Sequence, residues 1–422
     1  MASRSRRFFV DTTPLRTSPQ FRLLFAGMTV STIGNQLTVV AAPIQVYGLT
    51  ESSLAVGLLG LAQFVPLLLG SLLGGSLADT FDRRRVMLGA QAAMLCTSLG
   101  LAANAALESP HLGAIYVLTA MQAGLSGIDN PARAASVPAL VGRVGVPAAS
   151  ALTQLVWHIG GIIGPALAGI SIATLGIGAT YVFDVGTFVV SLVLLLFMAP
   201  ILPKRTEAEK ANGRASMLHG LRFLKGRQAL QGSFVIDINA MVFGMPRALF
   251  PALAVTVYGG DAATAGFLYA APAVGAALGA VTSGWVTRID KQGRAVLWAV
   301  LVWGASIAAF GFVPWLGVAM VLLALAGAAD VVSAVSRNSI LQISVPDRLR
   351  GRLSAVHIAV VTGGPRLGDA EAGAAAALLG PQASVVTGGL ACMAGVGVIA
   401  RLMPELGRWR ISTAPDAELI AD

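Results

Sequence analysis

The chemistry in this chain must be sought among the ionisable residues that stand inside or at the edge of long apolar stretches, where a charge is costly and functional. Arg247 follows Gly244-Met245-Pro246, a run that breaks a helix. A guanidinium stays protonated at physiological pH. Arg247 therefore cannot carry a proton, but it can attract a carboxylate, a catecholate or another anion; the alternative use is a structural ion pair. Asp237 lies ten residues earlier, roughly 15 Å along an ideal helix. That is too far for a direct pair with Arg247 and leaves Asp237 as a protonation site or gate residue. Arg366, Asp369 and Glu371 form a second group. Asp369, three residues after Arg366, is close enough to pair with it, whereas Glu371 is about 140° round the helix and faces elsewhere. A carboxylate in a low-dielectric setting can load and release a proton near neutral pH. Asp369 and Glu371 are thus proton-coupling candidates; otherwise they neutralise Arg366 and position their helix. Asp129 and Arg133, four apart, share one helical face as a gate latch or a static ion pair. Asp330 and Arg337 mirror them seven apart, free to pair with other helices. Asp184 reads as structural.

Neutral polar residues add Asn35, Gln36, Gln45 and Asn239, which either hydrogen-bond a polar substrate or tie helices together. Met241, Met245 and Phe250 suit an adaptable apolar wall or plain core packing. Trp298, Trp303 and Trp315 read as interfacial anchors. No catalytic set emerges. His111, His158, His219 and His357 are scattered, Cys96 and Cys392 lack CxxC spacing, and neither a Ser-His-Asp order nor a P-loop occurs. Neither an enzyme, a metal site nor a cofactor is expected, and the energy for any transport must come from an ion gradient or from the substrate's own.

The elements that position these residues follow from composition. The 422 residues are 55% hydrophobic and only 12% charged, with 49 Gly, too little polar surface for a soluble protein of this size and enough small residues for helices packed closely in lipid. Twelve segments have spanning length. Six precede a polar stretch at 200–228, the first beginning at Phe21 and too long for a secretory h-region, and six follow it. The expected organisation is an N-terminal half (1–199), a central loop (200–228) with an amphipathic segment over Met217–Leu230, a C-terminal half (229–404) and a tail (405–422). Of 29 Lys and Arg, all but Arg247 and Arg366 are assigned to the two ends or to alternate connections. The positive-inside rule then places both termini in the cytoplasm. The net charge of +9 does not indicate nucleic acid, because it is spread over alternate loops rather than gathered in a patch. The halves also repeat: Gly57, Gly70, Gly75 and Arg85 recur at one constant spacing as Gly266, Gly279, Gly284 and Arg294, and Arg133 and Pro165 recur nearly so as Arg337 and Pro365. Parallel six-helix repeats mark one transporter architecture.

Three sets of residues carry a family resemblance. Gly75-Ser-Leu-Ala-Asp79-Thr-Phe-Asp82-Arg83-Arg84 resembles the major facilitator motif GxLADrxGRR, whose acid and arginines hold a cytoplasmic gate; it departs from that motif at Thr80 and Asp82. Gly160, Gly164, Pro165 and Gly169 are similar to the GxxxGPxxGG motif of drug:proton antiporters. The stretches SVPALVGRVGVPAASAL, LHGLRFLKG, GFLYAAPAVGAALGAVTSG and LRGRLSAV, with Arg247-Ala-Leu-Phe-Pro and Gly368-Asp369-Ala370, look like the enterobactin (siderophore) exporter group of that superfamily. The resemblance implies an all-α membrane protein of 12 transmembrane helices in two pseudo-symmetric halves. It further implies proton-driven export of a siderophore or similar amphipathic metabolite across the inner membrane by alternating access, by a monomer in contact with lipid. Multidrug efflux of lipophilic antibiotics is the alternative reading. A non-transporting membrane sensor is the remote one, since it needs a signalling domain.

Overall fold

The computed structural model describes residues 11–203 and 223–413. Residues 217–222 of the expected amphipathic segment and the end of the tail, 414–422, lie outside the described residues. Regular structure among the described residues is helical: α1 (Thr13–Thr17), α2 (Pro19–Thr50), α3 (Ser53–Thr80), α4 (Arg83–Ala105), α5 (Leu112–Leu196), α6 (Gln228–Phe243), α7 (Phe250–Thr256), α8 (Ala262–Thr282), α9 (Gln292–Phe310), α10 (Leu316–Ser344), α11 (Asp347–Leu379), α12 (Pro381–Leu402) and α13 (Pro404–Arg408). Nine helical segments among the described residues are long and apolar enough to cross a membrane, with α6 and α7 counted as one and α5 counted once. The 85 residues of α5 far exceed the roughly 20 that one crossing needs. The helix is broken where the sequence supplies glycine, at Gly142 (φ 67°) and Gly176 (φ 87°), a region of φ that is costly for residues with a Cβ. The stretches 112–141, 143–175 and 177–196 are the fourth, fifth and sixth spans. With α11, 33 residues long, the total is twelve.

The alternation of basic connections assigns Arg133 and Arg337 to connections between spans. Instead α5 runs through Pro131 and Pro138 to its break, and α10 continues to Ser344, so both arginines lie inside helices and are buried. Proline stops a helix in water, but in a membrane bundle neighbouring groups take up the freed carbonyls. Near these prolines Arg83 Nη1 donates to the Ala135 carbonyl at 2.5 Å.

The folding logic is that of lipid rather than water. Leu69, Leu72, Leu73 and Val182 are each more than half exposed, as suits a surface facing acyl chains. Many hydroxyls inside spans return to their own helix: Thr29, Ser71, Thr119 and Thr153 donate to the carbonyl four residues back at 2.7–3.0 Å, which satisfies those donors in the apolar phase.

The chain forms two compact units, one of Met1–Gln45 with Ala62–Arg205, the other of Val46–Leu61 with Thr206–Asp422. The hairpin between the first two spans thus belongs to the second unit. Each unit repeats a contact of the other. Gly124 packs on the Pro66 carbonyl in the first, and Gly327 on the Pro272 carbonyl in the second. Beyond α12 the chain stays docked: Leu406 and Trp409 are buried against Gly232 and Gly293, and Trp409 Nε1 donates to Ser344 Oγ at 3.1 Å.

Candidate functional site

The seventh span is interrupted where the sequence predicts. α6 ends at Gly244, whose N–H still reaches Ala240 O at 2.8 Å; Met245 and Pro246 leave the helix, and Arg247–Leu249 form a 3-10 turn that restarts it as α7. Proline has no N–H to continue the ladder, so the break needs outside partners. Trp303 Nε1 donates to Gly244 O at 2.7 Å, and Tyr269 Oη donates to Arg247 O at 2.9 Å. Trp303 is only 4% exposed. It is a clamp on the break and not the interfacial anchor that its sequence position suggests, whereas Trp298 and Trp315 are exposed.

The break delivers Arg247 to the second group of charges. Arg247, Tyr269, Arg366 and Asp369 interact electrostatically as one cluster, with the Arg247 guanidinium 5.8 Å from the Tyr269 ring centre. Asp369 accepts a backbone hydrogen bond from Ala248, while its Oδ1 is buried without a partner. No direct ion pair joins Asp369 to either arginine. Two cations facing one carboxylate leave an excess positive charge among half-buried side chains, an arrangement suited to receiving an anion. Glu371 couples to no other charge in the cluster, as its angle on the helix requires. The first turns of α3 meet this part of α11 through glycine: a Cβ at Gly57 would stand 2.5 Å from Asp369 O, and one at Gly60 would stand 2.8 Å from Asp369 Cβ.

Asp237 is separate from this cluster. It is fully buried and pairs with Arg337 of α10, Oδ1 to Nη1 at 2.6 Å. The approach is charge to charge rather than along an N–H direction, so neither carboxylate oxygen closes an aligned hydrogen bond. Arg337 also donates to Ser333 Oγ at 3.2 Å and lies 3.9 Å from Asp330. The first unit answers with Arg133, which pairs with Asp129 on its own helix and donates to Ser31 Oγ of α2 at 3.1 Å; Gln91 donates to Asp129 at 3.4 Å. Each unit therefore ties an arginine of its fourth helix to its first, with Ser31 in one where Asp237 stands in the other.

In the motif loop Asp82 caps α4 by accepting from Arg84 N at 3.0 Å and also accepts from Ile201 N at 2.8 Å. The glycine that the family motif places there could do neither. Arg84 donates to the carbonyls of Leu195 and Leu196 at 2.9 and 2.6 Å, at the end of α5 where the helix runs short of its own donors. Asp79 is exposed and has no ion-pair partner among the described residues, and Gly75 has open space around it.

The antiporter-like glycines are packing sites. A Cβ on Gly160 would stand 2.8 Å from Thr32 Cγ2, and one on Gly164 would overlap Gln36 Cβ; Pro165 and Gly169 are buried beside them. Small residues four apart let α2 lie in a groove of α5. Gly164→Leu is expected to drive these helices apart and to lower stability by at least the ~1–3 kcal/mol of an overpacked core, read as reduced folded yield and a lower Tm in detergent. Of the other polar residues, Gln45 accepts from Tyr181 Oη at 2.8 Å and Asn239 donates to Cys392 O at 2.9 Å; both bind helix to helix. Asn35, Gln36 and Met245 are half-buried. Phe250 is buried edge-on against Tyr269 (5.0 Å between ring centres) and Phe310 (6.2 Å); it supports the break from behind.

Known proteins resemble this chain in sequence and in fold. The family model described as "Transmembrane secretion effector" matches residues 11–414. The enterobactin exporter of Shigella boydii serotype 18 is 34% identical over 402 residues, covering 94% of each chain, and that of Escherichia coli O1:K1 / APEC is equally similar. Among solved structures, a bacterial homologue of the lysosomal transporter Spinster, inward-facing and unoccupied, superposes with a TM-score of 0.71 at 15% identity, covering 94% of this chain and 98% of that one. A POT family transporter crystallised with 5-aminolevulinic acid gives 0.73 at 12%, covering 92% and 97%.

Proposed function

The chain belongs to the transmembrane secretion effector family of major facilitator transporters, and from that premise we propose that it exports an anionic, siderophore-like metabolite from the cytoplasm across the inner membrane in exchange for protons. The observation that carries this reading is the excess positive charge of Arg247 and Arg366 over Asp369 at the broken seventh span. A catecholate or carboxylate group that reaches the cluster supplies the missing negative charge. Its hydrogen bonds to guanidinium are of the charge-assisted kind, about twice as strong as neutral ones.

Export requires the cargo to leave on the far side, so the attraction must be cancelled once per cycle. Asp369 is the group placed to do this. As a carboxylate it competes with the cargo for the two arginines and favours its departure; it takes up the proton on the return leg, when the site holds no cargo, so that one is exchanged for the other. Asp237, bound to Arg337, is the second candidate for coupling, and Glu371 a third. The two halves, residues 1–199 and 229–404, exchange access from one side of the membrane to the other while the termini remain cytoplasmic, and the protein works as a monomer in lipid. Arg133 with Asp129 and Arg337 with Asp330 serve as latches, as do the motif residues Gly75, Asp79, Arg83 and Arg84.

Untargeted metabolomics of the medium from wild-type and deletion cells under iron limitation tests the cargo class. A catechol- or carboxylate-bearing chelator is expected to fall in the deletion medium. Unchanged chelator secretion together with raised sensitivity to lipophilic antibiotics would replace this reading with multidrug efflux.

A further inference from the structure

The first unit contains a buried carboxylate that the export reading does not use. Asp184, on the 177–196 stretch of α5, has no measurable exposure. Its sequence position suggested a structural residue, but its surroundings are unlike those of the other buried acids. Asp129 and Asp237 each face an arginine, whereas no Lys, Arg or His among the described residues pairs with Asp184. Four helical stretches bring neutral groups to it instead. Thr38 Oγ1 of α2 and Ser98 Oγ of α4 each donate to Oδ2 at 2.7 Å, and Thr187 Oγ1, one turn along, reaches Oδ1 at 3.5 Å. Gln122, from the 112–141 stretch, faces the same carboxyl group. It is only 4% exposed, yet neither its Oε1 nor its Nε2 closes a hydrogen bond. The other titratable group facing Asp184 is Tyr181, one turn earlier, whose hydroxyl is already given to Gln45.

An ionised carboxylate sealed in this way would carry an uncompensated charge in an apolar phase, which costs several kcal/mol even after relaxation. Hydroxyl donors reduce that cost but cancel no charge. Both strong donors converge on Oδ2, so Oδ1 is the oxygen left over, and the unpartnered amide of Gln122 offers an acceptor in Oε1. A single positive charge on Oδ1 completes the arrangement. A divalent ion would overcompensate one carboxylate. The hydroxyls stand at hydrogen-bond distance from the carboxyl oxygen and use their protons on it, which is the pattern of a carboxyl group and not of lone pairs turned toward a metal ion.

We propose that Asp184 is a proton-binding site of the first unit, with Thr38 and Ser98 holding Oδ2, Thr187 and Gln122 facing Oδ1, and the proton carried on Oδ1 toward Gln122. It lies apart from Asp237, Asp369 and Glu371 and would give the first unit a proton of its own to exchange. The proposal does not depend on the cargo or on the coupling residues named above, because it is read without transport.

The test is infrared difference spectroscopy on the purified full-length protein at neutral pH, comparing the wild type with Asp184→Asn in buffers whose monovalent cation is Na+ or choline. A protonated-carboxyl C=O band is expected in the wild type in both buffers and is expected to vanish in Asp184→Asn, an isosteric change that keeps the neutral shape. Ser98→Ala and Thr38→Val, each removing one donated hydrogen bond from Oδ2, should move that band to higher frequency, and they answer the question if Asp184→Asn does not fold. Two results overturn the proposal. If no band depends on Asp184 or its donors, the residue is a bare carboxylate held by hydroxyls alone. If the band appears only when Na+ is replaced by choline, the resting occupant is sodium.

Discussion

Arg247→Ala is expected to weaken binding of an anionic catecholate or carboxylate chelator by about 10- to 100-fold, the loss that corresponds to one charge-assisted hydrogen bond of ~1.5–3 kcal/mol. Arg247→Lys keeps the charge but loses the planar fork and should fall between the two. Arg366→Ala should reproduce the loss, because the excess charge belongs to both residues. A neutral, methylated analogue of the same chelator should bind the wild type and Arg247→Ala alike. Titration of the purified protein by calorimetry measures all of these. Equal loss for the charged and neutral ligands would mean that Arg247 holds the α6–α7 break rather than the cargo. That alternative has a definite structural basis, since its carbonyl already receives the Tyr269 hydroxyl.

Removal of Arg337 is expected to be among the most destabilising single changes in the second unit. Arg337→Gln leaves the fully buried Asp237 without its only close counter-charge among the described residues, and breaking a buried pair in this way costs about 3–5 kcal/mol. Asp237→Asn should cost less, because Asp330 at 3.9 Å still faces the arginine. The double variant should recover part of the loss, so the two effects will not add. Reversible unfolding in mixed micelles measures the four proteins of this cycle. Additive losses would show that the 2.6 Å contact contributes no coupling. In the first unit Arg133→Gln should cost less than Arg337→Gln, because Gln91 remains as a donor to Asp129.

The architecture was legible from the chain alone because lipid imposes few solutions. Apolar length gave the spans, and the matched glycines gave the internal repeat. The break before Arg247 was legible too, since Gly244 and Pro246 permit little else. What misled was punctuation carried over from soluble proteins. A proline in water stops a helix, but α5 passes straight through Pro131 and α10 runs on to Ser344, so Arg133 and Arg337 stand in buried pairs rather than in connections. Periodicity also cannot show which helix a side chain meets. Asp237 was correctly separated from Arg247 by distance along its own helix, but its true partner lies a hundred residues away on α10. Tyr269 and Trp303, which hold the break, were invisible for the same reason: each acts on a backbone carbonyl of another helix, and no spacing in the sequence records that. Asp184, a lone acid in a span with no cation nearby in sequence, needs a counter-charge from elsewhere, and the structure supplies only neutral donors.

The claim that an anionic cargo is exported at the expense of protons is tested most directly in inside-out membrane vesicles, by following uptake of a labelled catecholate chelator with the vesicle lumen acidified. Accumulation is expected in vesicles carrying the wild-type protein, should cease when an ionophore collapses the gradient, and should be absent with Arg247→Ala. Accumulation that ignores the ionophore, or that Arg247→Ala supports as well as the wild type, would contradict the account.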